Sequence, residues 1–176
     1  MKLEVPFRKQ VNEYMCGPAT LQMVLAFFGE QLSQRKVRKL MSTSPRELKA
    51  RGTDNHKMVR GIQKSGLYAY VNEDSTLEEL KYLISLGHPI VISYIEPSDN
   101  EGHLAVVVGY GALLKEIILN DPWNGQGFKL AESQFVRRWH SLYDGHSRWL
   151  MAVSKKPFKI GRQFYPLEAK QHERKD

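Results

Sequence analysis

The residues best suited to do chemistry are gathered around the only cysteine of the chain. Cys16 is followed by Gly17 and Pro18, where an apolar pattern of helical period begins. Proline suits the first turn of a helix, because its missing N–H has no intrahelical partner there. The pattern therefore predicts that Cys16 lies at a helix N-terminus, where free N–H groups and the helix dipole favour a thiolate. A poised nucleophile is the functional interpretation of this stretch.

A second interpretation of the cysteine stays open at this point. Most free cysteines are small apolar core residues, and Cys16 alone does not exclude that role. Gln10 lies six positions earlier, and a glutamine amide is one of the groups that can donate to the oxyanion formed when a thiolate attacks a carbonyl. A glutamine before a helix is usually only solvated, so Gln10 gains meaning from its association with Cys16.

A histidine and an aspartate much later in the chain are candidate partners for this thiol. His103 opens a β-branched run, HLAVVVGY, and Asp121 closes the next one, EIILND. If the two runs pair as a hairpin, the start of the first lies beside the end of the second. Each residue alone has a bland explanation, as a core histidine and as a turn residue before Pro122. Together with Cys16 they predict a nucleophile, a base and a group that orients the base.

The surrounding pattern predicts an α+β fold in which a helical half precedes an antiparallel sheet. After Pro89 three strand candidates follow one another with short turns, and a further strand is predicted in RWLMAVS. Helices first and strands afterwards, without regular alternation, is typical of α+β domains. We expect the two halves to face each other across a groove. The predicted helices begin near Cys16, Ser33, residues 52–54 and a capping box at 75–78, and a later one covers 131–139.

Length and composition indicate one ordinary globular domain. The chain has 176 residues, of which 41% are hydrophobic and 26% charged, enough to bury a sizeable core. No apolar run resembles a signal peptide or approaches the ~18 apolar residues of a membrane span. We therefore expect a cytoplasmic protein, where a single reduced thiol is chemically sustainable. No Cys-x-x-Cys or His-x-x-x-His spacing is present, so we expect neither a metal nor a cofactor.

Positive charge is concentrated at the C-terminus. The formal net charge is +7, and +4 of it lies in residues 155–176. We predict one domain over residues 1–155 and a basic tail over residues 156–176. No recognition motif supports a nucleic-acid partner for this positive charge. Before the tail frays, four of its side chains are expected to pack on the domain, namely Phe158, Ile160, Phe164 and Tyr165.

Three stretches of the chain resemble a known family. QVNEYMCGPAT, GHLAVVVGYG and NDPWNG resemble, in this order, motifs of the papain-like cysteine peptidases. The likeness is greatest to the branch that processes double-glycine leaders of bacteriocin-type peptides, and it covers about residues 3–154. The resemblance implies that Gln10 is the oxyanion-hole donor, Cys16 the nucleophile, His103 the base and Asp121 its orienting partner.

The resemblance also implies that the partner is a peptide or protein substrate, in which a peptide bond is hydrolysed through an acyl-enzyme, with cleavage after glycine in leader peptides as the expected specificity. Gly17, Gly102 and Trp123 are the candidates for contact with substrate, and Trp123 could also shield Asp121 from water. Met15 departs from the family, where an acidic residue often precedes the cysteine. An acyl or transpeptidyl transferase using the same residues and a non-catalytic peptide-binding module remain alternatives. The oligomeric state is left open.

Overall fold

The computed structural model of the chain describes residues 1–142, 145–159 and 161–167. Within these ranges the chain forms six helices and seven strands. In order they are α1 (Cys16–Phe27), α2 (Gln34–Leu40), α3 (Pro45–Arg51), α4 (Asn55–Lys64), β1 (Tyr68–Asn72), α5 (Leu77–Ser85), β2 (Ile90–Ile95), β3 (Gly102–Gly111), β4 (Glu116–Asp121), β5 (Gly125–Ala131), α6 (Glu132–Arg138), β6 (Leu150–Ser154) and β7 (Gln163–Phe164).

All seven strands belong to one antiparallel sheet in the order β5-β4-β3-β2-β6-β1-β7. Strands β2 to β5 form a meander, and β6 returns to lie between β2 and β1. The predicted α+β fold, with mainly helices before an antiparallel sheet, is confirmed. None of the helices in the described ranges has the length and apolar character needed to cross a membrane.

Helices cover both faces of the sheet, and the alternation of β3 shows how. Leu104, Val106 and Val108 point into the core shared with α1, α2 and α4. Ala105 and Val107 point to the opposite face, into the core shared with α5 and α6. Successive side chains of a strand point to opposite faces, so a strand buried on both sides is apolar throughout. The expected picture of two facing halves was incomplete, because α5 and α6 lie behind the sheet.

Besides β7 in the predicted tail, two elements escaped the sequence prediction. Helix α3 begins with a capping box in which Ser44 accepts from the backbone N–H of Glu47 at 3.1 Å and the Glu47 carboxylate accepts from the N–H of Ser44 at 2.7 Å. Strand β5 extends the sheet beyond β4, although Leu130 is its only buried residue. Both have a short apolar pattern, which explains why periodicity did not reveal them.

The capping box predicted at residues 75–78 is wrong in two respects: the cap lies one residue later, and it is a simple N-cap without the reciprocal bond of a capping box. Thr76 is the N-cap, and its hydroxyl accepts from the backbone N–H of Glu79 at 3.1 Å. The Glu79 side chain does not return to the cap, because it accepts hydrogen bonds from Tyr70 at 2.7 Å and from Asn72 at 2.9 Å. Ser75, which was expected to form the cap, is buried.

Part of the predicted tail belongs to the sheet. Strand β7 pairs with β1 at the edge farthest from β5. The predicted packing of Phe158, Phe164 and Tyr165 is confirmed, since Phe158 and Phe164 contact the two cores and the rings of Tyr165 and Tyr68 lie 5.8 Å apart. Ile160 and residues 168–176 lie outside the described residues. The division between 155 and 156 stays a prediction, to be tested by truncation.

Candidate active site

The start of α1 holds the candidate nucleophile. The helix begins at Cys16 as predicted, and Met15, its N-cap residue, makes no side-chain cap. The first backbone N–H groups of the helix are therefore left for other acceptors. The hydroxyl of Thr20 donates to the carbonyl of Leu104 at 2.9 Å, which fastens the first turn of α1 to β3. Cys16 itself is half-buried and in no disulfide.

Gly17 is required by the packing at this helix start. A Cβ at position 17 would lie 2.2 Å from the Oγ1 of Thr53 and 2.6 Å from its Cβ. Such distances are far shorter than van der Waals contact, so only glycine lets Thr53 close against the turn that carries Cys16. The loop before α4 thereby forms one wall beside the thiol.

The predicted hairpin between β3 and β4 is confirmed, and it joins the two other candidate residues. The Nε2 of His103 lies 3.0 Å from the Oδ1 of Asp121. His103 is 8% exposed and Asp121 is fully buried. Burying a carboxylate costs free energy unless the carboxylate is paired and hydrogen-bonded. The contact with His103 therefore supplies a partner that the buried Asp121 requires.

The thiol and the imidazole form a second pair. Nε2 of His103 is engaged by Asp121, and the imidazole also acts on the Cys16 thiol as a hydrogen-bonding and charged neighbour. Burial, the largest influence, opposes ionisation of the thiol. The hydrogen bond and charge of His103, with the backbone N–H groups of Leu104 and Gly17, nevertheless hold the pKa of Cys16 below its ordinary value.

The pKa of His103 moves in the opposite direction. Burial disfavours the imidazolium, but the hydrogen bonds to Asp121 and Cys16 and their negative charges outweigh it and raise the pKa of the imidazole. A lowered thiol pKa beside a raised imidazole pKa favours the thiolate–imidazolium form of the pair. That form couples a nucleophile to a proton donor.

Four donors hold the Asp121 carboxylate. Besides His103, its Oδ1 accepts from the backbone N–H groups of Trp123 and Asn124, both at 2.8 Å. Its Oδ2 accepts a short hydrogen bond from the hydroxyl of Tyr94. Burial would raise the pKa of Asp121, but the imidazole, the tyrosine and the backbone donors keep it below its ordinary value. The carboxylate is therefore anionic when His103 is charged.

Sequence reasoning missed the residues that support Asp121. Tyr94 lies directly opposite His103 in the register of β2 and β3. Asn124 donates from its amide to the Oε2 of Glu96 at 3.2 Å, and Glu96 is itself buried and accepts from the backbone N–H of Ser98 at 2.7 Å. The available signal was the pairing of the two strand sequences IVISYI and HLAVV. Once the register of that pairing is known, it places Tyr94 opposite His103.

Gln10 is near the same loop and is not solvated. It is 6% exposed, and its backbone N–H donates to the carbonyl of Pro122 at 3.1 Å. Its side-chain Nε2 donates to the carbonyl of Asn12 at 2.8 Å. An amide nitrogen carries two hydrogens, so one N–H remains for another acceptor. The structure shows no hydrogen bond between Gln10 and Cys16.

The remaining candidates lie at the rim. Gly102 opens β3 beside Ile95 and is exposed. Trp123 is 45% exposed and contributes its backbone N–H to Asp121. Among the described residues, no three His, Cys, Asp or Glu side chains are grouped so that they could hold a metal ion.

Known proteins resemble this chain in sequence. The chain is 27% identical over 138 residues to the pediocin PA-1 transport/processing ATP-binding protein PedD of Pediococcus acidilactici, a match that covers 77% of this chain and 18% of that protein. The chain thus spans less than a fifth of the curated relative it matches.

Solved structures resemble it in fold. The peptidase domain of Streptococcus ComA, a bi-functional ABC transporter, superposes with a TM-score of 0.67 at 20% identity and covers 87% of this chain and 100% of that domain. A double glycine motif protease from an AMS/PCAT transporter, solved with its leader peptide, gives 0.65 at 24% identity over 86% and 92%. A C39-like peptidase of Bacillus anthracis gives 0.68 at 17% identity over 90% and 100%. At these identities the likeness shows the fold.

The family follows from a match along most of the chain. The model of the Peptidase_C39 like family matches residues 2–146, a range that contains Gln10, Cys16, His103 and Asp121. The predicted cysteine-peptidase class is confirmed at the level of the family. The chain belongs to the Peptidase_C39 like family.

Proposed function

We propose that the chain hydrolyses peptide bonds with Cys16 as nucleophile, His103 as general base and acid, Asp121 as the group that orients His103, and Gln10 as an oxyanion donor. The observation that carries this proposal is the position of His103 between the thiol of Cys16 and the Oδ1 of Asp121, 3.0 Å from the latter. The matched family supports the same class of reaction.

The proposed reaction passes through an acyl-enzyme. The Cys16 thiolate attacks the carbonyl carbon of the substrate, and the oxyanion that forms accepts hydrogen bonds from the backbone at the α1 start and from the second N–H of Gln10. The imidazolium of His103 gives its proton to the leaving amine as the C–N bond breaks. His103 then takes a proton from water, whose oxygen attacks the thioester. The C–S bond then breaks, which releases the acid and the Cys16 thiolate, and His103 keeps the proton taken from water, so the ion pair is restored.

We further propose that the substrates are leader peptides and that the chain cleaves them after glycine. A solved relative is a double glycine motif protease in complex with its leader peptide, and that description belongs to the relative. In this chain Thr53 packs directly on Gly17, the residue that follows Cys16, so the loop before α4 lies next to the proposed nucleophile. Gly102 and the exposed Trp123 would line the path of the peptide. We place the reaction in the cytoplasm, where the free thiol persists.

The test is a cleavage experiment on the whole chain. Three peptides, whose leader segments end in Gly-Gly, Gly-Ala or Ala-Ala, are incubated with the wild type and with Cys16→Ala. The products are identified by mass spectrometry. We expect cleavage after Gly-Gly by the wild type alone and a trapped covalent adduct on Cys16. Transfer to an added amine in place of water would assign an acyl transferase. Binding of the peptides by both proteins without any product would reduce the chain to a peptide-binding module.

A further inference from the structure

Tyr94 lies behind the proposed reaction centre, where substrate cannot reach it. The residue is fully buried on β2 and is paired in register with His103 on β3. The two rings lie 6.2 Å apart at an angle of 65°, and the Tyr94 hydroxyl extends past the imidazole to the far oxygen of Asp121.

The two oxygens of Asp121 are unequally supplied with donors. Oδ1 accepts from His103 and from the backbone N–H groups of Trp123 and Asn124. Among the described residues, Oδ2 has Tyr94 as its hydrogen-bond donor. A buried carboxylate oxygen without a donor is costly, so without the hydroxyl the carboxylate would rotate to share the Oδ1 donors. Such a rotation weakens the bond to His103.

We propose that Tyr94 is a positioning residue, which fixes the Asp121 carboxylate against His103 and thereby sets the pH range over which Cys16 and His103 exist as an ion pair. The consequence for turnover rests on the proposed function. The consequence for the thiol does not, because it requires only that Cys16, His103 and Asp121 are coupled.

Few other charges face this cluster. Glu96 on β2 lies close enough to act on Tyr94, and Arg138 on α6 donates to the backbone carbonyl of Ile95 at 3.3 Å. Cys16 on α1 and His103 on β3 are the partners already described. Burial, followed by the negative charges of Asp121 and Glu96, raises the pKa of Tyr94 far above its ordinary value. The hydroxyl therefore stays protonated and remains a donor.

The same sheet contains a matched control. On β1 the hydroxyl of Tyr70 donates to the Oε1 of Glu79 at 2.7 Å, and Tyr70 is 8% exposed. Tyr70→Phe removes a tyrosine–carboxylate hydrogen bond just as Tyr94→Phe does, but at a carboxylate that does not contact His103.

The experiment measures how fast iodoacetamide alkylates the full chain as a function of pH. Cys16 is the only cysteine, so the measured rate belongs to it alone. For Tyr94→Phe we expect the acid limb of the profile to move to higher pH, with rates about tenfold below wild type on that limb and convergence at alkaline pH. Tyr70→Phe is expected to follow the wild-type profile. In peptide cleavage, Tyr94→Phe should lower kcat and leave KM unchanged, because a buried Tyr94 does not touch substrate.

Identical profiles for folded Tyr94→Phe and wild type would overturn the proposal, as would an equal shift in Tyr70→Phe. If Tyr94→Phe does not fold, 3-fluorotyrosine placed at position 94 keeps the shape and makes the hydroxyl a stronger donor. With 3-fluorotyrosine at position 94 the alkylation profile of Cys16 should move, whereas with 3-fluorotyrosine at position 70 it should not. An unmoved Cys16 profile in the protein labelled at position 94 would overturn the proposal. A wild type that cleaves no peptide, yet shows the Tyr94-dependent thiol profile, contradicts the proposed function and supports this inference.

Discussion

Among the described residues, two tyrosine–carboxylate hydrogen bonds link strands of the sheet to other elements of the fold, and the difference between them separates structural support from reaction chemistry. Tyr94 donates to Asp121 near the β4 side of the sheet, and Tyr70 donates to Glu79 near the β7 edge. Both tyrosines are buried. The further side-chain partner of Glu79 is the neutral amide of Asn72, whereas that of Asp121 is an imidazole.

The partner of Asp121 has the larger electrostatic effect, because Asp121 is more deeply buried than Glu79. Asp121 is fully buried, while Glu79 is half-buried, so water screens the Glu79 charge more effectively. Burial and the neighbouring carboxylate raise the pKa of Tyr70 to about 12, which shows that its pair also favours the protonated phenol. Each buried tyrosine–carboxylate hydrogen bond thus joins two secondary-structure elements. It contributes to chemistry only where a titratable group completes it.

The largest expected effect contrasts the two carboxylates. Asp121→Ala should lower kcat/KM by about 10³–10⁴, because His103 loses the group that holds its orientation and supports its charge. Asp121→Asn keeps an oxygen acceptor and should lose less. Kinetics on one peptide would measure both, with Glu79→Ala as the control that removes a carboxylate without touching His103. Equal losses in Asp121→Ala and Glu79→Ala would show that the two pairs do not differ in role.

A smaller effect is expected for Gln10. Loss of one oxyanion donor typically costs about 10²–10³ in kcat, so Gln10→Ala should slow turnover while alkylation of Cys16 remains close to wild type. Gln63→Ala is a suitable control, since Gln63 donates to the carbonyl of Tyr165 at 2.9 Å near the β7 edge. Parallel loss of turnover and alkylation in Gln10→Ala would indicate a damaged fold and would remove Gln10 from the oxyanion site.

The smallest effect on activity is expected at the β7 edge. A chain ending at Lys155 loses β7 and Phe158, whose ring lies 4.9 Å from that of His88. We expect a loss of about 2–5 kcal/mol in the free energy of unfolding, since the partly buried side chains of Phe158 and Phe164 would no longer pack against the two cores. Below the melting temperature, turnover of a small substrate should be retained. A chain ending at Leu167, which keeps β7 and Phe158, is the control for shortening the chain.

Retained stability in the shorter chain would establish the boundary predicted between residues 155 and 156. Lost turnover at a temperature where that chain remains folded would instead show that the β7 edge supports the site. Either result sharpens the contrast between the two sides of the sheet.

The sequence predicted the parts of the site that depend on local signals. Pro18 in the first turn marked the start of α1, and the apolar runs ending in Asp121 and beginning at His103 marked a hairpin. Tyr94 escaped because its role depends on the register between β2 and β3, which a strand pattern alone does not specify.

Other misses have equally local causes. In α3 only Leu48 is buried, so the helix has almost no apolar period, and its Ser44–Glu47 capping box was the signal to use. In β5 two glycines and one buried residue gave little alternation. At α5 a serine and a threonine stand side by side, and choosing Thr76 over Ser75 requires knowing that Ser75 is buried.

We propose that His103 holds Cys16 as a thiolate, and the alkylation rate of Cys16 near pH 6 is the decisive measurement of that role. The pKa of Cys16 is lowered, so reactivity should persist below the ordinary thiol range of about 8.5 and be lost as pH falls through the folded value. The pKa of His103 is raised, so the imidazolium should be lost only as pH rises through its folded value. Peptide cleavage should then decline while alkylation continues. At about pH 6, folded wild type should react at least about tenfold faster than the urea-unfolded chain and than His103→Ala, with His88→Ala unchanged. Equal rates for the folded wild type, the unfolded chain and His103→Ala would contradict the account.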